Sequence, residues 1–338
     1  MPETQYTLYA VGNALVDMEF ALEDQQLREI GVEKGVMTLV DEAQHQSLFD
    51  QLYPTHGKRA CGGSAANTLI ATTYLGGRTY YTCKIADDEA GHFFLKDLTN
   101  AGVHTNAKET MAPGTTGKCL VMITPDAERT MNTFLGISAD ISEKEIEENA
   151  IKASEYVYLE GYLAGSPTGL QAAVRTREIA QANGVKTALT FSDPNIVNYC
   201  RPSLEKIVGT TPLNLVFCNE QEALRWAKTD DLEMATIELK KVTQAFAITL
   251  GAKGALIFDG RQTQLVPGTQ VTAIDTNGAG DIFAGAFLYG INHDMSYFEA
   301  ARLANLAAAR LVQQYGPRLQ PQAYSDLLSD FSKSKEIA

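Results

Sequence analysis

The sequence predicts a mainly parallel β-sheet covered by helices on both faces, and three observations carry that expectation. Short β-rich runs alternate with amphipathic helical segments along almost the whole chain, which is how parallel strands and their crossover helices are written. The helical segments begin at good capping residues. One stretch, 103–135, breaks the alternation with two strands and no helix between them, so a small β excursion lies beside the main layer.

Taken in order, Tyr6 to Val11 reads as a first strand, and Asp41 to Tyr53 and Ser64 to Leu75 as capped helices. Asp87 to Ala101 is helical and stops at Gly102, and Ser142 with Glu145 forms a capping box for another helix. Strand Tyr156 to Leu159 is followed by helix Pro167 to Asn183, strand Val185 to Phe191, strand Leu215 to Cys218 and helix Gln221 to Lys228. Gln270 to Ile274 is strand-like, and helices dominate from Gly278 to a polar tail, Ser332 to Ala338. In the excursion, Lys118 to Thr124 and Arg129 to Leu135 flank Pro125-Asp126-Ala127-Glu128. Val36 to Val40 joins them in a small sheet over one end of the body, a lid.

The chain has 338 residues, 45% of them hydrophobic and 20% charged, enough for a well-buried core in one large domain or two smaller ones. A formal charge of -13 opposes nucleic acid and anionic membrane as partners. The five cysteines are odd in number and include no close metal-binding or redox pair, which fits reduced thiols in a cytoplasm. No signal-peptide pattern and no apolar run of membrane-spanning length is present.

The segment Asp275-Thr276-Asn277-Gly278-Ala279-Gly280-Asp281 leads into the apolar helix Ile282 to Ile291. Unpaired N–H groups at a helix start, with Gly278 and Gly280 allowing close approach, form an anion cradle. Asp281 beside it is placed to take a proton from a hydroxyl attacking a phosphoryl group. Taken alone, the segment reads equally well as a glycine turn whose Asp complements the helix dipole. There is no Walker-type lysine loop, since Gly114 to Cys119 has the wrong spacing, and Gly278 to Gly285 fails the dinucleotide fingerprint.

Together with Gly62-Gly63-Ser64-Ala65-Ala66-Asn67, this segment closely resembles the ribokinase (PfkB) family of carbohydrate and nucleoside kinases, and the likeness spans nearly the whole chain. The resemblance implies one doubly wound, ribokinase-like α/β domain over residues 1–338, with a β lid from about 13–40 and 103–135. It also implies an ATP- and Mg²⁺-dependent phosphotransferase, monomer or homodimer, acting on a small-molecule nucleoside or sugar. By resemblance Asp281 is the base, and Gly278, Ala279 and Gly280 are the backbone hole for the γ-phosphate. Asn13, Asp17, Gly62, Gly63 and Asn67 meet the substrate, and paired Asn and Asp side chains suit vicinal hydroxyls.

Asn219 and Glu222 resemble the family's Asn-x-x-Glu element, with Glu222 organising water around Mg²⁺. Asp193 and Asn195 resemble a segment near the phosphates, and the bland alternative is a Pro turn. Thr249, Gly251 and Gly254 resemble a nucleotide-side loop, and Asn305 falls near the adenine end. Arg129 aligns with a lid arginine that reaches the transferred phosphate, with a solvated hairpin arginine as the alternative. Asp275, Thr276 and Gly316 match positions beside a monovalent cation such as K⁺.

Several segments are closer to adenosine kinases than to sugar kinases: Gly12-Asn13-Ala14-Leu15-Val16-Asp17, Thr116-Gly117-Lys118-Cys119 and the Asn277-centred turn. An adenosine-like ribonucleoside is therefore expected, with Met37, Met131, Leu135 and Tyr162 as an apolar slot for the base. Val36, standing where animal-type adenosine kinases carry Gln, and the polar Asn132 and Thr133 keep fructose, ribose or another sugar as the alternative. A non-catalytic nucleotide-binding regulator is the alternative of another class, and an NAD-dependent dehydrogenase rests on the α/β pattern alone.

Overall fold

The computed structural model describes residues 5–53 and 59–336. A nine-stranded sheet runs in the order Thr263–Pro267, Gly254–Phe258, Phe246–Thr249, Leu215–Asn219, Lys186–Thr190, Ser154–Glu160, Tyr6–Val11, Thr79–Thr82, His104–Thr105. Neighbours are parallel except where Gly254–Phe258 pairs antiparallel with the strands on either side of it. The sequence enters at Tyr6–Val11 and builds outward in both directions, so the winding reverses between that strand and Ser154–Glu160.

Alternation along each strand sends side chains to opposite faces. In the first strand Leu8 and Ala10 join one apolar core, and Tyr9 and Val11 the other. Helices Ser64–Tyr74, Ala279–Ile291 and Tyr297–Leu311 cover the first face, and Pro167–Ala182, Arg201–Val208 and Glu220–Ala227 the second. Small residues bring the first group close together. A Cβ on Gly285 would run into Thr68, and the Thr72 hydroxyl instead donates to the Gly285 carbonyl at 3.2 Å.

A second, five-stranded sheet has the order Met37–Leu39, Arg129–Phe134, Gly117–Ile123, Leu15–Ala21, Arg59–Gly62. It is wider than the expected excursion, because Arg59–Gly62 also pairs in it, antiparallel to Leu15–Ala21. His104–Thr105, inside the expected lid range, instead pairs with Thr79–Thr82 at the edge of the large sheet.

Three local expectations also change. Gln270 to Ile274 forms no strand; Val271 and Ile274 are exposed, and Ile274 and Asp275 donate their amides to the carbonyl of Val312 at the end of a helix. The Ser142–Glu145 box is real, with Ser142 N–H on Glu145 Oε2 at 2.7 Å, but it opens a single 3₁₀ turn, Glu143–Glu145, followed by the short helix Glu148–Lys152. Toward the end, helix Pro321–Glu336 runs through most of the segment expected as a tail, and 337–338 lie outside the described residues.

Candidate active site

Strands ending at Val11, Glu160, Thr190, Asn219 and Thr249 point their C-terminal ends at one cleft, and the five-stranded sheet lies over it. This is the place where open α/β sheets bind ligands, the switch point of the winding. The cleft encloses about 260 Å³, and its wall combines Asn13, Glu160, Asn219 and Thr249 of the body with Asp17, Met37, Arg129 and Met131 of the small sheet.

The turn before Ala279–Ile291 sets one end. Gly278 is the N-cap in the left-handed region, φ 73°, and a Cβ there would collide with Pro317. A Cβ on Gly280 would meet nothing within 4 Å, so its backbone borders open space. Ala279 N–H is turned back onto the Thr276 carbonyl at 3.2 Å, so the open side of this helix start, where an anion can be held, is at Gly280. Behind them Asp275 braces the turn, accepting Asn277 N–H at 2.8 Å and Gly316 N–H at 2.9 Å.

Asp281 stands in the first helical turn and on the cleft wall. Its Oδ1 accepts Ser64 Oγ–H at 2.7 Å and its Oδ2 accepts Asn67 Nδ2–H at 3.1 Å. Burial pushes its carboxyl above the ordinary value, while the bonds from Ser64 and Asn67 and the charge of Arg129 oppose that rise. A carboxylate so held keeps one rotamer and a basicity nearer neutral pH than a solvated one.

On the opposite side, Gly62 and Gly63 are required by crowding. A Cβ on Gly62 would enter the Asp17 carboxylate, and one on Gly63, at φ 96°, would enter the Asn13 carbonyl. Asn13, Asp17, Gly63 and Asn67 all line the cleft, whereas Gly62 supports it from behind. Burial first, then Glu19, raises the Asp17 carboxyl to about 8; Arg318 opposes the rise and Asp281 adds to it. Two buried amide atoms of the cleft, Asn67 Oδ1 on this side and Asn277 Nδ2 in the glycine turn, have no hydrogen-bond partner among the described residues, which leaves an acceptor and a donor for a ligand.

Glu160 and Ser64 extend the expected set. Glu160 Oε1 accepts the Asn13 side-chain amide at 3.4 Å, and Oε2 accepts Ala65 N–H at 3.1 Å, joining the first strand to the start of helix Ser64–Tyr74. Burial raises its carboxyl to about 8, with those hydrogen bonds opposing. The available signal was a lone acid at the end of the apolar run Tyr156 to Leu159, directly before Gly161. Ser64 lay inside a quoted motif but needed the tertiary contact with Asp281 to acquire a role.

Arg129 reaches across from the small sheet, Nη1 donating to the Thr276 carbonyl at 2.7 Å. This places its guanidinium beside the glycine turn rather than in solvent. Asn219 and Glu222 form a reciprocal capping box, Asn219 N–H to Glu222 Oε2 at 3.0 Å and Glu222 N–H to Asn219 Oδ1 at 2.8 Å. The Glu222 carboxyl is pushed up to about 7, by burial first and also by Asp193. Asp193 caps the next helix through Asn195 N–H at 2.6 Å, and burial raises its carboxyl as well.

The nucleotide-side residues separate. Thr249 is on the cleft wall, and Gly251 opens an exposed turn at φ 58° with free space around it. Gly254, at φ 102°, is packed against Val266 and Gly268, and Asn305 Nδ2 donates to the Val266 and Pro267 carbonyls at 3.0 and 3.1 Å. These two hold the antiparallel edge of the large sheet and lie outside the cleft wall.

For metals, Asp193 adds to the rise of the buried Glu222 carboxyl, and burial raises the half-buried Asp193, so a hydrated divalent cation nearby would favour the ionised form of both. The donor set suits an ion held through water, as Mg²⁺ is. The monovalent set fits less well: Asp275 is taken up by Asn277 and Gly316, and the Thr276 carbonyl is engaged by the Arg129 cation. No group of three or more His, Cys, Asp or Glu able to hold a metal directly occurs among the described residues.

The profile of the pfkB family carbohydrate kinases matches residues 39–323. Among solved structures, a probable sugar kinase from Rhizobium etli CFN 42 superposes with a TM-score of 0.91 at 31% identity, covering 97% of this chain and 99% of that one. The adenosine kinase from Sinorhizobium meliloti gives 0.89 at 33%, covering 96% and 99%. Adenosine kinase 1 of Arabidopsis thaliana is 26% identical over 91% of this chain and 94% of its own.

Proposed function

The chain belongs to the pfkB family of carbohydrate and nucleoside kinases and is a phosphotransferase, and from that premise we propose that it phosphorylates the hydroxymethyl group of an adenosine-like ribonucleoside, with Asp281 as general base. The observation that carries the mechanism is the Asp281 carboxylate fixed by Ser64 and Asn67 beside the glycine turn, where the Gly280 backbone borders open space. The acceptor hydroxyl gives its proton to Asp281 as its oxygen attacks the γ-phosphorus in line. The bond from that phosphorus to the β-bridging oxygen breaks, and ADP leaves. N–H groups of residues 278–280 and the Arg129 guanidinium stabilise the charge that develops on the transferred group. ATP would occupy the Asn219–Thr249 side, where Glu222 and Asp193 would hold a hydrated Mg²⁺ that would supply shielding of the phosphate charge. The free cysteines favour a cytoplasmic setting.

Asn13, Asp17, Asn67 and Glu160 present the polar groups that vicinal hydroxyls require. Met37, Leu39, Met131 and Leu135 line the adjoining wall together with Tyr162, an apolar slot suited to a flat base. A sugar acceptor such as fructose or ribose is the second reading, favoured by Thr133 within that slot and by the likeness to a probable sugar kinase. The test is ATP turnover across adenosine, other nucleosides, ribose and fructose, with and without K⁺, for the wild type and Asp281→Asn. Adenosine should give the highest kcat/KM, and the variant should lose about a thousandfold or more in kcat with ATP binding retained. Full turnover by Asp281→Asn would overturn the mechanism, and a sugar preferred over every nucleoside would replace the substrate.

A further inference from the structure

Arg318 follows Gly316 and Pro317, the two residues that support the glycine turn from behind: Gly316 N–H donates to Asp275 at 2.9 Å, and Pro317 closes over Gly278. Its guanidinium leaves that loop for a different part of the molecule. Nη2 donates to Asp97 Oδ2 at 2.7 Å, and Nη1 lies 3.4 Å from Cys61 Sγ. The same Asp97 oxygen accepts Cys61 N–H at 2.8 Å. Cys61 precedes Gly62 and Gly63, which abut the Asp17 carboxylate and the Asn13 carbonyl. One carboxylate oxygen of helix Glu89–Asn100 thus ties the root of the lid strand Arg59–Gly62 to the loop beneath the anion cradle.

We infer that Arg318 and Asp97 are positioning residues, an ion pair that holds the acceptor wall at Cys61–Gly63 in register with the phosphoryl cradle at Asp275–Asp281. The physical case is geometric. Arg318's side chain is 14% exposed and Asp97's 34%, so the pair is half-buried and screened less than a fully exposed one. Both donors converge on one Asp97 oxygen, so losing Asp97 removes both ties at once, and losing Arg318 breaks the charged link between the two segments. Phosphoryl transfer depends on the acceptor oxygen meeting the γ-phosphorus in line, and a displacement of about 1 Å between two such walls is worth on the order of a hundredfold in rate. Arg318 also lies near enough to Asp17 to oppose the rise of its carboxyl, which places positive charge behind the acceptor wall.

The inference rests on the functional reading above only in calling one wall the acceptor side, so its experiment has a readout that needs no turnover. Backbone hydrogen exchange in wild type, Arg318→Lys, Arg318→Met and Asp97→Asn should show 59–63 and 275–281 opening together, at least about tenfold faster in Arg318→Met and Asp97→Asn and less in Arg318→Lys. Faster exchange confined to 314–320, or in only one of the two segments, would overturn the coupling. Kinetics on the best acceptor of the turnover screen should show kcat/KM for that acceptor reduced about tenfold with the KM for ATP within about twofold. The double variant Arg318→Met/Asp97→Asn should be no worse than either single one, as groups acting as one unit require, whereas additive losses would also overturn the pair. Where Arg318→Met does not fold, Asp97→Asn and Arg318→Lys decide the same question. Full activity of Asp281→Asn would count against the functional reading and leave the exchange result standing.

Discussion

Glu160 illustrates what one buried carboxylate does for its neighbours. Its two oxygens accept from Asn13 and from the amide of Ala65, so it seats Asn13 on the cleft wall and the helix start that carries Ser64 and Asn67. Its carboxyl and that of Asp17 are pushed up to about 8 by burial, and that of Glu222 to about 7. Groups whose folded pKa is raised give their full stability below the unfolded value near 4 and lose it as pH rises through the folded value. Melting temperature of the ligand-free protein should therefore fall from pH 5 to pH 9. Glu160→Gln should flatten that fall, because an amide has no proton to lose over this range. Thermal melts at three pH values check both statements, and an unchanged slope would remove Glu160 as a contributor.

Among the elements, the turn at Gly278 and the helix it starts depend most on their surroundings. Left-handed φ and the closeness of Pro317 both demand glycine there. Gly278→Ala should lower stability by about 1–3 kcal/mol and displace the first-turn amides, so kcat should drop more than the KM for ATP. Denaturant melts and steady-state kinetics separate the two effects. Gly280→Ala, with open space at its Cβ, should fold like wild type and act only through crowding in the cradle. The strand expected at Gln270 to Ile274 shows the opposite dependence. Its residues have strand propensity, but the neighbouring chain offers a helix end instead of an edge, and two amides settle on Val312.

For the molecule as a whole, the small sheet has one face on the cleft and the other under its own helices. Phe20, Leu22, Leu120 and Met122 pack with Leu27 and Leu52, which belong to Asp24–Ile30 and Glu42–Leu52. A sheet whose outer face is already buried has little apolar area left for another copy. The chain should accordingly sediment as a monomer at micromolar concentration, and a stable dimer would show that an edge, such as that of Met37–Leu39, is used for pairing. No helix among the described residues is long and apolar enough to cross a membrane.

The strand and helix periodicities, the helix caps and the glycine turn before Asp281 were legible in the sequence because each is a local property of consecutive residues. So were three strands of the small sheet, Met37–Leu39, Gly117–Ile123 and Arg129–Phe134, and the motif residues whose resemblance named the family. Tertiary structure alone decided the rest. It joined Arg59–Gly62 to the small sheet, moved His104–Thr105 to the large sheet, and gave Gly254 and Asn305 structural work at the sheet edge. It also brought Ser64 and Glu160 to the cleft and set Arg318 against Cys61, 257 residues away. Hydrogen bonds and ion pairs of that range leave no period in the chain, since only the closing of the fold sets which distant donor meets which buried acceptor.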